Sequence, residues 1–186
     1  NVNLSNLKIV HTDEYVTMDD LPAEVFKTKP NSSLNVALKM QREKEADALV
    51  SAGNTGAVLS HSTLRLGRIQ GIGRATIGAE LPSMNGSTLV FDVGATVDCR
   101  PDHLVEYAIM GSIFAKYIYK KDNPKIGLLS VGEEKSKGNE VSLAAYEMLE
   151  KAPINFVGNA EGSDILKGTV DVAICDGYTG NILLKL

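Results

Sequence analysis

Short apolar runs of strand length alternate along this chain with longer segments whose apolar residues recur at helical spacing. The short runs lie at Lys8–His11, Ala48–Ser51, Thr76–Glu80, Thr88–Val93, Lys125–Val131, Ile154–Val157 and Val170–Cys175, and each is predicted as a strand. Helical spacing predicts helices over Ser32–Glu45, Thr55–Ile69, Pro101–Lys120, Glu140–Lys151 and Glu161–Leu166. Pro101 suits a first helical turn and Asp102 complements the helix dipole there. Asn139 is placed to cap the helix that opens at Glu140. Strands alternating with helices predict α/β layers around a largely parallel sheet. The pair Thr76–Glu80 and Thr88–Val93 is the exception, an antiparallel hairpin signalled by Asn85-Gly86. The polar stretch Asp13–Lys29 reads as a loop with a short helix.

At 186 residues the length suits one domain over 1–186 with a core that needs no staples. A net charge of −4 supplies no global attraction to nucleic acid or an anionic membrane. Cys99 and Cys175 are far apart, without a C-x-x-C or His/Cys cluster, and each adjoins an Asp at the end of an apolar run. They read as buried free thiols, in keeping with a reducing cytoplasm, rather than as a disulfide or zinc site. No run approaches the roughly 20 apolar residues needed to span a bilayer, and the polar stretch Asn1–Asn6 has no signal-peptide character. The chain lacks an initiator Met and stops at Ile182–Leu186 just as a helix begins, so it is expected to be a portion of a longer protein.

Ligands of parallel α/β sheets bind outside the carboxyl ends of the strands, and four glycine-bearing loops are expected on that edge: Ser51–Ala57, Asp92–Ala95, Ser130–Glu140 and Asp176–Asn181. In the first, small residues between a strand and a helix leave backbone N–H groups facing the break, where the helix dipole favours an anion. Ser51, Gly53, Asn54, Thr55 and Gly56 are therefore candidate phosphate ligands, with the Asn54 amide and Thr55 hydroxyl adding donors. Gly94, Gly138, Asn139, Gly177, Thr179 and Gly180 are candidates of the same kind in the other loops, although a strand-end glycine also serves simply to turn the chain. No G-x-x-x-x-G-K-[ST] and no G-x-G-x-x-G with a downstream acid occurs, which argues against ATPase and ordinary dinucleotide chemistry. Lys137 is the best candidate cation, able to hold phosphate or stabilise an oxyanion; a solvated loop lysine is the alternative. Asn181 can donate to a carbonyl oxygen or cap a helix, and Asp92 and Asp176 can act chemically or bind loop amides. His61 and His103 lack the partners of a hydrolase triad and read as solvated or capping. No carboxylate–histidine cluster has metal-ligand spacing. Arg65 and Arg68, at i and i+3, are expected to share a helix face that either docks an acidic partner or is simply solvated.

Taken together, Val50-Ser-Ala-Gly-Asn-Thr-Gly-Ala57, Phe91-Asp-Val-Gly-Ala95, His103-Leu-Val-Glu-Tyr-Ala-Ile-Met-Gly-Ser112, Lys137-Gly-Asn-Glu140 and Asp176-Gly-Tyr-Thr-Gly-Asn181 resemble the bacterial phosphate acyltransferase (PlsX) family. Asn31-Ser32-Ser33 and Asn155-Phe156-Val157-Gly158-Asn159 fit as well, and the order and intervals match along essentially the whole chain. The resemblance implies a three-layer α/β/α sandwich with a mostly parallel sheet, similar to isocitrate/isopropylmalate dehydrogenases and phosphotransacetylases. It implies transfer of an acyl group from acyl-carrier protein to inorganic phosphate, giving acyl-phosphate for phospholipid synthesis, with Lys137 and Asn181 matching the proposed catalytic pair. It also implies a cytoplasmic homodimer, possible peripheral contact with the inner face of the membrane through parts not in this chain, and no metal or other cofactor. Acyl-carrier protein is acidic, which would suit a dock at Arg65 and Arg68. The family's N-terminal Asp-Ala-Met-Gly-Gly-Asp segment and everything after the Thr-Gly-Asn turn are missing, and Thr96, Ala75 and Glu133 stand where Asn, Pro and Thr are usual. Glu133 is a carboxylate placed to compete with phosphate for Lys137. The competing readings are an acyl-CoA-dependent phosphotransacetylase, a catalytically silent phosphate-binding module and, from fold alone, a metal- and NAD-dependent decarboxylating dehydrogenase.

Overall fold

Apolar side chains at helical and strand periods sort this chain into elements with one or two buried faces. The computed structural model describes residues 5–186, so the first four residues of the polar stretch Asn1–Asn6 lie outside the described ones. Contacts divide the chain into two compact units, Asn1–Ile69 and Gln70–Leu186.

The first unit holds α1 (Pro22–Thr28), α2 (Ser33–Arg42) and α3 (Thr55–Leu66). Leu34 and Leu38 on α2, one turn apart, meet Ala57 of α3 in a small core with Val16, Leu49 and Val58 against it. Neither Lys8–His11 nor Ala48–Ser51 is a strand, which corrects the prediction for both. A strand needs a neighbour to take its N–H and C=O groups, and none pairs with these runs among the described residues. Ile9 and Val50 are 90% and 97% exposed, so apolar character alone does not order them. The α3 helix stops at Leu66, short of the predicted Ile69, because Gly67 takes φ 81 and the helix cannot continue through it.

The second unit holds β1 (Gly78–Ser83), β2 (Gly86–Phe91), α4 (Pro101–Ile118), β3 (Ile126–Leu129), α5 (Glu140–Leu149), β4 (Phe156–Ala160), α6 (Gly162–Lys167), β5 (Val172–Ile174) and α7 (Gly177–Lys185). Its sheet runs in the order β1-β2-β5-β3-β4. Strands β2, β5, β3 and β4 are parallel, and β1 is antiparallel to β2. The hairpin is tighter than its sequence suggests. Ser83 pairs with Gly86, leaving Met84-Asn85 as the turn, and Pro82 lies within β1, where an edge strand tolerates the missing N–H.

Side-chain alternation gives the sheet two buried faces. Leu89, Phe91, Ile126, Leu128, Val172 and Ile174 pack on one face with Leu104, Tyr107 and Ala108 of α4 and Ala145 and Leu149 of α5. Val90, Ala160, Ala173 and Cys175 face the other way, toward Ile165 of α6 and Leu183 of α7. The unit is thus a three-layer α/β/α sandwich. Since β2, β3 and β5 are parallel, the loops that follow them emerge on one edge of the sheet.

Candidate active site

Three of the four expected segments lie on that edge: Asp92–Ala95 after β2, the loop from Ser130 after β3, and Asp176–Asn181 after β5, the last of which is not a loop but the cap and first turn of α7. A cleft of about 640 Å³ opens there, lined among others by Leu128, Ser130, Gly138, Asn139, Cys175, Asp176 and Thr179. The fourth loop, Ser51–Ala57, belongs to the first unit and follows no strand.

Asp92 is fully buried and its carboxylate organises the loop it begins. Oδ1 accepts from the N–H groups of Gly94 (3.1 Å) and Ala95 (2.9 Å), and Oδ2 accepts from Thr96 N–H (2.7 Å). This arrangement favours the loop-amide role for Asp92 over contact with substrate. The same loop is clamped from two sides. Arg74 Nε donates to the Thr96 hydroxyl (2.9 Å), and Gly177 N–H donates to the Thr96 carbonyl (2.8 Å). Thr96 therefore has a defined structural task.

The glycines of Asp176-Gly-Tyr-Thr-Gly let α7 close onto that loop. A Cβ on Gly180 would overlap the Asp92 carbonyl oxygen, and one on Gly177 would come within 2.7 Å of the Thr96 carbonyl. Gly177 and Gly180 thus bring helix against loop, and their positions give a packing reason for residues read as phosphate ligands. The close approach sets Asn181 beside Gly94, where a Cβ would sit 3.6 Å from the Asn181 side-chain carbonyl carbon. Asp176 caps α7, accepting from Thr179 N–H and from the Thr179 hydroxyl, each at 2.9 Å. Asn181 is one turn further on and is not the cap.

Asn139 caps α5, accepting from Ser142 N–H at 2.8 Å. Two residues before it, Lys137 is exposed and joins no ion pair among the described residues. Its turn is held from below, with Lys137 N–H donating to the Glu134 carbonyl (2.9 Å) and Asn159 Nδ2 donating to the same oxygen (2.8 Å). Lys135 differs sharply: it pairs with Glu150 and lies over the Tyr146 ring. Glu133 is exposed and forms no ion pair with Lys137 among the described residues, so the expected competition is not formed.

The cleft lining carries two carboxylates, Asp98 and Asp176, and no Lys, Arg or His. Both thiols line it, Cys175 buried and Cys99 only half-buried. Burial pushes the pKa of each up, reinforced for both by the charges of Asp92 and Asp176. Sequence reasoning did not single out Val97, Asp98 or Ser130. Ser130 alone carried a signal, as a hydroxyl one residue beyond a strand. Among the described residues no group of His, Cys, Asp and Glu could hold a metal ion.

In the first unit Asn54 is occupied twice over. Its Oδ1 accepts from Ala57 N–H (3.0 Å) as the cap of α3. Its Nδ2 lies 3.3, 3.3 and 3.2 Å from the carbonyls of Thr17, Met18 and Asp20. The side chain pins an upstream loop to α3 and has no free donor to offer phosphate. Ser51 Oγ accepts from Gly53 N–H (3.2 Å), and Gly56 lies where Pro22 of α1 approaches. What remains for an anion at this turn is the Ser51 and Thr55 hydroxyls and the first N–H groups of α3.

Arg65 and Arg68 do not share a helix face, because α3 ends between them. The Arg65 guanidinium lies 4.9 Å from the Phe26 ring centroid, and its Nε is buried. His61, expected to be solvated or capping, is fully buried, edge-on to Phe26. Neither ring nitrogen has a hydrogen-bond partner among the described residues. His103 does cap, with Arg100 N–H donating to its Nδ1 at 3.3 Å.

The model of the family described as "Fatty acid synthesis protein" matches residues 1–186. The chain is 47% identical over 181 residues to a phosphate acyltransferase of Endomicrobium trichonymphae, covering 97% of this chain and 54% of that protein. It is 49% identical to one from Gloeothece citriformis, covering 97% and 52%, and 51% identical to one from Pelotomaculum thermopropionicum, covering 96% and 52%. The chain therefore spans about half the length of these relatives. Among solved structures, the EutD phosphotransacetylase from Staphylococcus aureus superposes with a TM-score of 0.67 at 16% identity, covering 99% of this chain and 67% of that one. At that identity the likeness establishes the fold.

Proposed function

We propose that this chain, which belongs to the fatty acid synthesis protein family, carries the phosphate-transfer site of a phosphate acyltransferase that takes its acyl group from acyl-carrier protein. The observation that carries the reading is the meeting, on one sheet edge, of the loop that bears Lys137 and the first turns of α7, which bear Asn181. They follow β3 and β5, which are neighbours in the sheet, and a cleft opens where those strands end.

In the proposed reaction an oxygen of hydrogen phosphate attacks the thioester carbonyl carbon, and the carbonyl electron pair moves onto its oxygen. The tetrahedral intermediate re-forms the C=O bond and breaks the C–S bond. The departing thiolate takes the phosphate's proton, giving acyl-phosphate and a free carrier thiol. Lys137, without a carboxylate partner among the described residues, is available to neutralise phosphate. Asn181 Nδ2 is available to the oxyanion, and one such donor is worth roughly 3 kcal/mol of barrier. Direct attack is supported by the state of the thiols. Cys99 and Cys175 line the cleft, but burial holds both in the unreactive protonated form.

The remaining implications of the resemblance, a cytoplasmic homodimer with peripheral membrane contact, belong to the same proposal. Among the described residues no helix is long and apolar enough to cross a membrane. The test is thiol release by the full-length protein with phosphate and long-chain thioesters of carrier protein and of CoA, side by side. Faster turnover of the carrier-protein donor is expected. Preference for CoA would make this a phosphotransacetylase, and no release above the enzyme-free rate would leave a phosphate-binding module.

A further inference from the structure

We propose that the cleft at the ends of β3 and β5 receives the acyl chain of the thioester donor, with the Ser130 hydroxyl donating to the thioester carbonyl oxygen. This rests on the phosphate acyltransferase reading and adds where the donor lies. Val97, Leu104, Leu128, Leu129, Val131 and Val141 line the cleft. Leu104 and Leu128 are also members of the core beneath it, so its floor is dry and continuous with packed hydrocarbon. The volume of about 640 Å³ lies within the range of roughly 300–1,000 Å³ usual for small-ligand clefts.

Charge decides which substrate enters. Asp98 and Asp176 line the cleft without a cationic side chain among its lining residues, which repels a phosphate dianion. Phosphate is thereby directed to the Lys137 side of the turn. Three side-chain hydroxyls line the cleft. Ser142 donates to the Asn139 carbonyl (3.0 Å) and Thr179 to Asp176 (2.9 Å). Ser130 Oγ is buried and has no partner among the described residues. A buried hydroxyl left unsatisfied is costly, and a substrate carbonyl oxygen would satisfy it. Ser130 is also in the right place along the chain of events. A Cβ on Gly138, the residue after Lys137, would lie 3.4 Å from Ser130 Oγ, so the hydroxyl sits where the acyl cleft meets the lysine turn.

The experiment uses the full-length protein and two variants. Val131 is 83% exposed, so Val131→Trp is tolerated by the fold while its indole enters the cleft. It is expected to raise KM for long-chain donors about tenfold, well beyond its effect on a butanoyl donor. Ser130→Ala is expected to lower kcat roughly a hundredfold at every chain length, with the melting temperature equal to or above that of the wild type because a buried unsatisfied hydroxyl is removed. Binding of a fluorescent, uncharged, non-cleavable long-chain acyl amide is measured in parallel and is expected to be weakened by Val131→Trp. Equal effects of Val131→Trp on long and short donors, an unaltered kcat in Ser130→Ala, or probe binding indifferent to Val131→Trp would each overturn the proposal. Probe binding that Val131→Trp weakens in a protein that releases no thiol would uphold the acyl cleft and reject the transferase reading.

Discussion

Asp92→Asn separates a structural carboxylate from a chemical one. In the native structure Oδ1 accepts the N–H groups of Gly94, Ala95 and Ile77 and Oδ2 accepts that of Thr96, at 2.7–3.4 Å, and the side chain is fully buried. An asparagine must place its NH₂ at one of those oxygen positions. In the better orientation the amide oxygen keeps Gly94 and Ala95, and the NH₂ opposes Thr96 N–H, leaving two donors face to face without an acceptor. One charge-assisted hydrogen bond is lost, worth about 1.5–3 kcal/mol, and a buried donor is stranded at a further cost of about 1–3 kcal/mol. Together these come to about 2.5–6 kcal/mol, a fall of at least roughly 5 °C in melting temperature for a chain of this size. The Asp92 loop also seats Gly177 and the α7 helix that carries Asn181, so activity falls with stability. The assay is thermal unfolding followed by circular dichroism, paired with thiol release well below the melting temperature. A melting temperature within about 2 °C of wild type, with activity lost, would show that Asp92 acts on substrate and would refute the loop-organising account.

Lys137→Ala is expected to cut kcat by orders of magnitude while the melting temperature stays within about 1 °C, since the side chain is exposed and unpaired among the described residues; a large thermal shift would make it structural. His61 gives a pH dependence of stability. Burial lowers its pKa from 6.5, opposed by the nearby Pro22 carbonyl and reinforced by the Arg65 charge. Below 6.5 the unfolded chain therefore binds a proton that the folded chain refuses, and stability drops as pH falls from 6.5 toward the folded value. Asp20 and Asp164, whose pKa values are lowered from 3.8, contribute only in the more acidic window below that value. Urea midpoints measured between pH 7.5 and 5 should slope in the wild type and flatten in His61→Phe; equal slopes would remove His61 as the cause. Cys99→Ser is expected to retain at least about half of wild-type turnover, with no burst of thiol release before the steady state; a burst that vanishes in Cys99→Ser would establish an acyl-thioester intermediate instead of direct attack.

Local signals carried most of the helices. The Asn139 cap and the Pro101 start lie where short-range hydrogen bonding and fixed φ place them, because those contacts span only three or four residues; α7 opens earlier than its sequence suggests, with Asp176 rather than Asn181 as its cap. The three layers followed only from the family resemblance, whereas the largely parallel sheet was equally legible in the period of the apolar positions. Lys8–His11 and Ala48–Ser51 were not, since an apolar run becomes a strand only when another strand takes its backbone groups. Arg65 and Arg68 looked like one basic face until Gly67 ended the helix between them.

The sequence by itself determined the alternation of elements, the identity of the polar loops and the candidacy of Lys137 and Asn181. Only the tertiary structure decided what most of those loop residues do. It put β5 beside β3, so that the Lys137 loop and the start of α7 adjoin, and it assigned Asn54 to holding backbone from another part of the chain. It also pressed Gly177 and Gly180 against the Asp92 loop, which sets Asn181 beside Gly94. The reason is range: caps and periods are fixed by neighbours in sequence, whereas these contacts join residues from about 34 to 88 positions apart, and their partners exist only once the chain has closed on itself.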